Sequence, residues 1–260
     1  MNPLIRNRRP EIRDPASGVW HQVFVPQLGF PLIALACLLF SGCAGLNPKQ
    51  KAAAPLTPDV AVWLLAGEQT KPNAAIYAEA RAIPWASGTR LIYQVLRHMR
   101  KHFTFNGSYN GAMFTRSCNE LFENRMLGGC SDYALVELML LRALHIPARV
   151  VITANLDWIE RYKEDGLSMT TGHTFIEAFI DGKWYLVDPT YFELYDEYDL
   201  NNPFYPRKQV FCMRGRDFWD MGIRDIEDLD CIMRKLALEF DGSFVEPRYA
   251  RVFTVPKDVP

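Results

Sequence analysis

Apolar residues recur every three or four positions between Thr89 and His102, which places them on one face of a helix. The segment from Ser131 to Leu144 is apolar around most of its circumference. A helix of that kind belongs inside a hydrophobic core, because it has no face suited to water. The two patterns therefore predict an amphipathic helix followed by a buried one.

Strand signals follow the predicted buried helix. Pro147 ends that helix, and residues 148–153 form a run rich in β-branched side chains. Residues 174–180 and 183–187 are two further strand-like runs, joined by Asp181-Gly182, a pair that favours the tight turn of a β-hairpin. Helix, strand and hairpin in this order indicate an α+β fold with an antiparallel sheet.

The remaining segments give weaker signals. Residues 158–171 are polar, and we expect them to form a loop. Residues 191–206 are aromatic, acidic and interrupted by proline, and we expect them to be irregular. Apolar residues at helical spacing over 223–236 predict a last amphipathic helix. We interpret residues 191–260 as an extension of the preceding domain and not as an independent one.

The N-terminal region has the pattern of a secretory signal peptide. Several arginines precede an apolar run over residues 29–41. This run is roughly a dozen residues long, whereas a membrane-spanning helix needs about 20. The segment Leu39–Cys43 resembles the lipobox of bacterial lipoproteins, although Phe40 stands where that motif usually has an aliphatic residue. An uncleaved membrane anchor or a buried core helix would be the alternatives.

The lipobox resemblance implies a domain order and a location. Residues 1–42 would be the signal peptide, and Cys43 would be lipidated and become the new N-terminus. Residues 43–57 are rich in Ala, Pro, Lys and Gly and would form a tether, and residues 58–190 would form the main domain. The protein would then be a membrane-anchored lipoprotein of the bacterial cell envelope, facing the periplasm or the exterior.

Composition and charge limit the classes of binding partner that we expect. The chain has 260 residues, 49% of them hydrophobic, which is enough for a substantial core. Its formal net charge of −1 gives no basic surface of the kind that nucleic acids require, so we expect no nucleic-acid partner. Beyond the leader, one disulfide bridge among Cys118, Cys212 and Cys231 remains open, because an oxidising envelope permits disulfides.

The candidate chemistry lies in three residues, each at an element boundary. Cys130 stands at the front of the buried helix, where the helix dipole and unpaired N–H groups favour a thiolate. Gly129 and Ser131 flank it and lie where an oxyanion would be held. His173 opens the first hairpin strand and Asp188 ends the second, so antiparallel pairing brings them together. A thiol, an imidazole and a carboxylate are the minimum equipment for acyl transfer through a thioester.

The segments Gly128–Ala134, Gly172–Glu177 and Trp184–Pro189 resemble the transglutaminase-like superfamily, a branch of the papain-like cysteine fold. The resemblance implies that Cys130 is the nucleophile, His173 the base and Asp188 the group that orients the base. Within the second segment, Phe175 stands where members often carry Trp. Glu177 could interact with the site, but we favour a cross-strand or solvent-facing carboxylate.

The resemblance also bears on the reaction. Ser131 follows Cys130 where the animal cross-linking enzymes have Trp, and the chain has no room for their accessory β domains. We therefore expect a peptidase or amidase acting on a peptide or carboxamide substrate in preference to a cross-linking transglutaminase. No metal and no organic cofactor is implied. The alternative is a catalytically inactive binding or scaffold module of the cell envelope.

Overall fold

The computed structural model describes residues 55–257, which lie within one compact unit. The predicted signal peptide, the lipidation at Cys43 and most of the predicted tether lie outside the described residues. Over 55–257, every helix is too short or too polar to cross a membrane. The predicted boundaries at residues 57 and 190 stay predictions.

Helices and strands alternate in the α+β manner that the sequence predicts. The helices are α1 Pro58–Ala61, α2 Ala74–Ala82, α3 Thr89–His102, α4 Cys118–Asn124, α5 Cys130–Ala143, α6 Leu156–Asp165 and α7 Ile226–Glu239. The strands are β1 Thr104–Phe105, β2 Met126–Leu127, β3 Ala148–Asn155, β4 Gly172–Ile180, β5 Lys183–Asp188, β6 Glu193–Asp196, β7 Phe204–Tyr205, β8 Gln209–Gly215 and β9 Ala250–Thr254. Two short 3₁₀ turns cover Val62–Leu64 and Gly107–Ala112.

The main sheet has the strand order β7-β8-β3-β4-β5-β6-β9, and every neighbouring pair is antiparallel. Helix α5 packs on one face of β3 and β4, and its residues 131–142 are all buried. The opposite face carries a smaller apolar cluster. Because β3 is covered on both faces, all of its residues except Asn155 are buried, including Arg149 and Thr153.

The predicted helices and hairpin are confirmed. Helix α3 spans the predicted residues, and α5 begins one residue earlier than predicted, at Cys130. The turn between β4 and β5 has Asp181 at φ 51° and Gly182 at φ 85°. Both values are positive, which is the conformation that the Asp-Gly pair favours in a two-residue hairpin turn.

The predicted polar loop over 158–171 is wrong for its first half, because α6 runs to Asp165. The side chain of Asn155 caps this helix by accepting a hydrogen bond from the Trp158 backbone nitrogen at 3.2 Å, and Gly166 ends it in the left-handed conformation. Trp158 is completely buried. Only a narrow face of α6 is apolar, and most of its other residues are charged. The segment therefore looks polar in sequence.

The predicted irregular segment over 191–206 is also partly wrong, because it contains β6 and β7. Strand β6 joins the sheet beside β5, and β7 forms the opposite edge beside β8. Aromatic residues of this segment enter the second apolar cluster, where Tyr195 and Tyr205 pack with Phe175. Strands this short show no two-residue alternation of apolar and polar side chains. Their pairing with distant strands therefore gives no local sequence signal.

The cysteines of the described residues are all free. These cysteines are Cys118, Cys130, Cys212 and Cys231. Cys118 is buried in the core and Cys231 is exposed. The disulfide that the sequence left open is therefore not formed in this structure.

Candidate active site

Cys130 is the first residue of α5, and Gly129 is the residue before the helix begins. The backbone N–H groups of the first helical turn have no carbonyl acceptor within the helix. These donors and the helix dipole point toward the thiol and favour its negative form. Cys130 as a residue is partly exposed, whereas residues 131–142 of the same helix are buried.

The two glycines before Cys130 differ in how strictly they are needed. A Cβ atom on Gly128 would lie 2.4 Å from the Tyr109 carbonyl oxygen, a backbone atom that cannot move aside cheaply. A Cβ atom on Gly129 would lie 2.3 Å from the Met113 sulfur, which is the end of a flexible side chain. Packing therefore requires glycine at 128 and favours it at 129.

Ser131, the other predicted neighbour of the oxyanion, is completely buried. Its hydroxyl finds no hydrogen-bond partner among the residues that the structure describes. The side chain therefore faces the interior, and its backbone N–H is the group available near the thiol. That N–H lies in the first turn of α5.

His173 and Asp188 meet across the neighbouring ends of β4 and β5, as the hairpin pattern predicts. The His173 Nε2 atom lies 3.0 Å from both carboxylate oxygens of Asp188. Asp188 is completely buried, and the imidazole is mostly buried. Because Nε2 faces the carboxylate, Nδ1 is the ring nitrogen that remains to hydrogen-bond with the Cys130 thiol.

The charges of the three side chains are coupled. Burial alone would raise the pKa of the Cys130 thiol, but hydrogen bonding and positive charge from His173 outweigh it and lower the pKa. Burial alone would lower the pKa of His173, but Asp188 and then Cys130 raise it to about 10. The arrangement therefore favours a thiolate beside an imidazolium.

Asp188 has further partners that the sequence analysis missed. Its Oδ1 accepts hydrogen bonds from the backbone nitrogens of Thr190 at 3.2 Å and Tyr191 at 3.1 Å. Its Oδ2 accepts from Arg207 Nη1 at 2.7 Å. The backbone donors follow from the turn after β5, but no local signal connects Arg207 to the site.

Asp132 fixes the segment that carries Cys130, and the sequence analysis also missed it. Its carboxylate accepts a hydrogen bond from the Gly128 backbone nitrogen at 2.6 Å and forms an ion pair with Arg116. Both side chains are buried. An acidic residue in the first turn of a helix is the available signal, since such residues often bind the unpaired backbone N–H groups there.

Glu177 is not solvent-facing, and that part of the prediction is wrong. The residue is completely buried, and its carboxylate pairs with Arg149 and, at 2.9 Å, with Arg214 Nη2. Arg149 lies directly opposite on β3, so the cross-strand part of the prediction is confirmed. The Tyr198 hydroxyl also donates to the carboxylate. None of these three partners belongs to the Cys130, His173 and Asp188 group.

Over residues 55–257, no group of three or more His, Cys, Asp or Glu side chains is arranged to hold a metal ion. The site instead offers a thiol of lowered pKa, a positively charged imidazole and a buried carboxylate. These groups can support nucleophilic attack on a carbonyl carbon, followed by proton transfer to a leaving amine.

Comparison with protein families matches residues 81–189 to the transglutaminase-like superfamily. The match contains Cys130, His173 and Asp188 and ends one residue after Asp188. Helices α3 and α5 and strands β3 to β5 lie inside it.

Two solved structures resemble the chain weakly. A proposed cysteine protease from Cytophaga hutchinsonii has a TM-score of 0.48 and 18% identity over 65% of this chain and 50% of that chain. A crystal structure of a TGase has a TM-score of 0.33 and 12% identity over 65% of this chain and 39% of that chain. The chain thus spans half or less of the length of these structures. Comparison with curated proteins gives no match.

Proposed function

We propose that the chain, whose residues 81–189 match the transglutaminase-like superfamily, is a cysteine-nucleophile acyl-transfer enzyme. The substrate is a peptide or carboxamide, and the intermediate is a thioester on Cys130. The observation that carries the proposal is the placement of His173, 3.0 Å from the Asp188 carboxylate and beside a thiol whose pKa it lowers. Cysteine-based catalysis is the chemistry that fits this family.

In the first half-reaction the Cys130 thiolate attacks the carbonyl carbon of the substrate. The developing oxyanion is held by backbone N–H groups at the start of α5. The C–N bond then breaks, and the His173 imidazolium gives its proton to the leaving amine or ammonia. A thioester and a neutral imidazole remain. Asp188 keeps the ring in the orientation that both steps need.

In the second half-reaction water attacks the thioester carbonyl, and neutral His173 accepts the proton that water loses. The carbon–sulfur bond breaks, the carboxylic acid leaves, and the thiolate and imidazolium are restored. An amine in place of water would give a new amide. We propose hydrolysis over amine transfer, because Ser131 stands where the animal cross-linking enzymes have Trp.

The test is the rate at which iodoacetamide alkylates Cys130 from pH 4 to pH 10, followed by peptide mass spectrometry in wild type and His173→Ala. We expect a fast wild-type rate that reaches a plateau below pH 7 and is lost in the variant. A slow rate that rises only near a pKa of about 8.5 and does not depend on His173 would contradict catalysis. It would favour the inactive binding module instead.

The same protein supplies internal controls for this experiment. Cys231 is exposed and serves as an ordinary thiol. Burial raises the pKa of Cys118 and of Cys212 to about 12, so both should stay unmodified until the protein unfolds. Rapid alkylation of these two would show that the preparation is unfolded and not that Cys130 is activated.

A second measurement separates the two fates of the thioester. Peptide amides are incubated with the enzyme in the presence and absence of a primary amine such as glycine ethyl ester. We expect products with a free carboxylate in both cases. Products that carry the added amine as the main species would contradict the hydrolase proposal and support a transglutaminase.

We also propose that the enzyme is tethered to the membrane of a bacterial envelope by lipid on Cys43. The lipobox resemblance of Leu39–Cys43 supports this proposal. Labelling with a palmitate analogue in a bacterial host should give a lipidated wild type and an unlabelled Cys43→Ser variant. Labelling that persists in the variant would contradict lipidation at this position.

A further inference from the structure

Arg207 contacts the candidate triad from outside the segment that matches the family. It lies in the turn between β7 and β8, and its Nη1 atom is 2.7 Å from Asp188 Oδ2. Asp188 is completely buried, and the Arg207 side chain is about one-third exposed. A charge-assisted hydrogen bond to a buried carboxylate is stronger than one at the surface. His173 and Arg207 therefore share one carboxylate.

The Arg207 guanidinium is held on two further sides. Its Nη2 atom pairs with Glu193 on β6. Its Cζ atom lies over the Tyr191 ring, 3.9 Å from the ring centre, and the centre of that ring is 5.7 Å from the centre of the His173 ring. Planar stacking combined with forked hydrogen bonding is a geometry that arginine provides and lysine does not. These contacts fix the guanidinium against Asp188.

The turn that presents Arg207 has an unusual backbone. Arg207 has φ 65° and Lys208 has φ 54°, both in the left-handed region. Glycine and asparagine are the residues that adopt this conformation readily. Strained backbone tends to persist where a side chain is needed in one place. At Arg207 that side chain reaches Asp188, whereas Lys208 reaches only the exposed carboxylate of Asp157.

We propose that Arg207 is a positioning residue, which holds Asp188 in place against His173. It belongs to the C-terminal part of the chain, after residue 190. The region after residue 190 thereby completes the site. The inference rests on the proposed function, because it assigns Arg207 a role in the activation of Cys130. It concerns a residue that the family match does not cover.

The charge of Arg207 predicts how the site titrates without it. Removing this cation leaves more uncompensated negative charge at Asp188, which disfavours the thiolate and favours the imidazolium. Two changes should therefore move to higher pH: the rise in alkylation rate that reports formation of the thiolate (the lower limb of the profile), and the loss of the imidazolium proton (its upper limb). The charged or titratable groups around Asp188 are His173 on β4, Arg207 in the turn, Glu193 and Tyr195 on β6, and Cys130 and Glu137 on α5.

The test compares Arg207→Asn with Lys208→Asn. Both variants remove one positive charge from the same turn, and both place a residue that tolerates the left-handed conformation. We expect Arg207→Asn to move the lower limb of Cys130 alkylation up by about 0.5 to 1 pH unit, with a three- to tenfold lower rate at pH 6. Lys208→Asn should match wild type. Arg207→Lys keeps the charge but not the forked contacts to Asp188 and Glu193, so it should restore the position of the limb only in part.

An Arg207→Asn profile that coincides with wild type would overturn the inference. If Arg207→Asn does not fold, Glu193→Gln decides, because loss of this negative charge should move the lower limb to lower pH, and an unmoved limb would overturn the inference. The proposed function fails separately, when wild-type Cys130 itself shows no plateau below pH 7. The two failures therefore give different results in one set of measurements.

Discussion

The Asp132 carboxylate lies 2.6 Å from the backbone nitrogen of Gly128, so that one side chain closes a loop around Cys130. Gly128 cannot shift toward Tyr109, whose carbonyl oxygen already occupies the space where a Cβ atom would be. The segment before the nucleophile is thus fixed on two sides. Arg116 neutralises the buried Asp132 and also binds the Met126 carbonyl oxygen at 2.8 Å.

Replacing Asp132 with Ala should destabilise the protein and slow the alkylation of Cys130. Loss of one partner of a buried ion pair costs about 3–5 kcal/mol, because Arg116 would remain buried without its carboxylate. Asp132→Asn keeps an acceptor for the Gly128 nitrogen and should fall between Ala and wild type. Urea unfolding gives the change in free energy, and alkylation at pH 7 reports the position of the thiol.

The matched control for this prediction is Asp228→Ala. Asp228 also accepts a hydrogen bond from a backbone nitrogen four residues earlier, that of Arg224 at 2.8 Å, but this contact is exposed. Its loss should cost about 0.5–1.5 kcal/mol, the net value of an ordinary hydrogen bond. Equal losses in the two variants would contradict a special role for Asp132.

Sequence reasoning was most successful where one residue pattern determines one element. The dense apolar run after Cys130 predicted α5, and Asp181-Gly182 predicted the hairpin that joins β4 and β5. That hairpin is what brings His173 to Asp188, so their contact could be predicted from pairing alone. The central part of the fold and the geometry of this pair were therefore accessible from the sequence.

The remaining contacts depend on distant parts of the chain. Arg207 reaches Asp188 from a three-residue turn in which only Pro206 is a turn signal, and nothing local connects that turn to Asp188. Strand β6 is too short for its period to be recognised. Asp132 stands in the first turn of α5, but its pairing with Arg116 depends on how α4 packs. Burial and long-range packing determine these contacts, and neither can be derived from residue spacing.

Asp188→Asn should shift the activation of Cys130 toward that of an ordinary thiol. Asp188 and then Cys130 raise the pKa of His173 to about 10, so loss of Asp188 lowers that pKa and weakens the thiolate–imidazolium pair. The plateau below pH 7 should shrink, and the main rise should move toward a pKa of about 8.5. We expect a rate at least about tenfold lower at pH 6.5, which corresponds to a shift of about one pH unit or more in the rise of the rate with pH.

The control for this variant is Asp196→Asn on β6. Asp196 forms an exposed ion pair with Lys183 at 2.6 Å, and such pairs contribute little. Its alkylation profile should coincide with that of wild type. If Asp188→Asn also kept the wild-type plateau, the carboxylate would have no role in activating the thiol.

Glu137 is a buried acid that the proposed mechanism does not use. It lies two turns along α5 from Cys130, on the same face, since the repeat of a helix brings every seventh residue into line. It is completely buried, and neither carboxylate oxygen has a hydrogen-bond partner among the described residues. Burial, and then the negative charge of Asp188, raise the pKa of Glu137 well above 4.5. The side chain is therefore neutral where an exposed glutamate would be ionised.

Glu137→Gln should make the protein more stable than wild type by an amount that grows with pH. The unfolded chain ionises Glu137 near pH 4.5, whereas the folded protein keeps the proton to a higher pH. The stability associated with the neutral form is therefore complete below pH 4.5 and is lost as pH rises toward the folded pKa. The loss approaches about 1.4 kcal/mol per pH unit in that window, and glutamine, which does not titrate, avoids it.

Urea unfolding of wild type and Glu137→Gln at pH 4, 5, 6 and 7 measures this difference directly. The two curves should nearly coincide in stability at pH 4 and separate progressively above it. Glu123→Gln on the exposed side of α4 removes the same charge from a solvated position and should give a difference that does not grow with pH. A constant gap between Glu137→Gln and wild type from pH 4 to pH 7 would mean that Glu137 is ionised in the folded protein. Its carboxylate would then need a positively charged partner within the core.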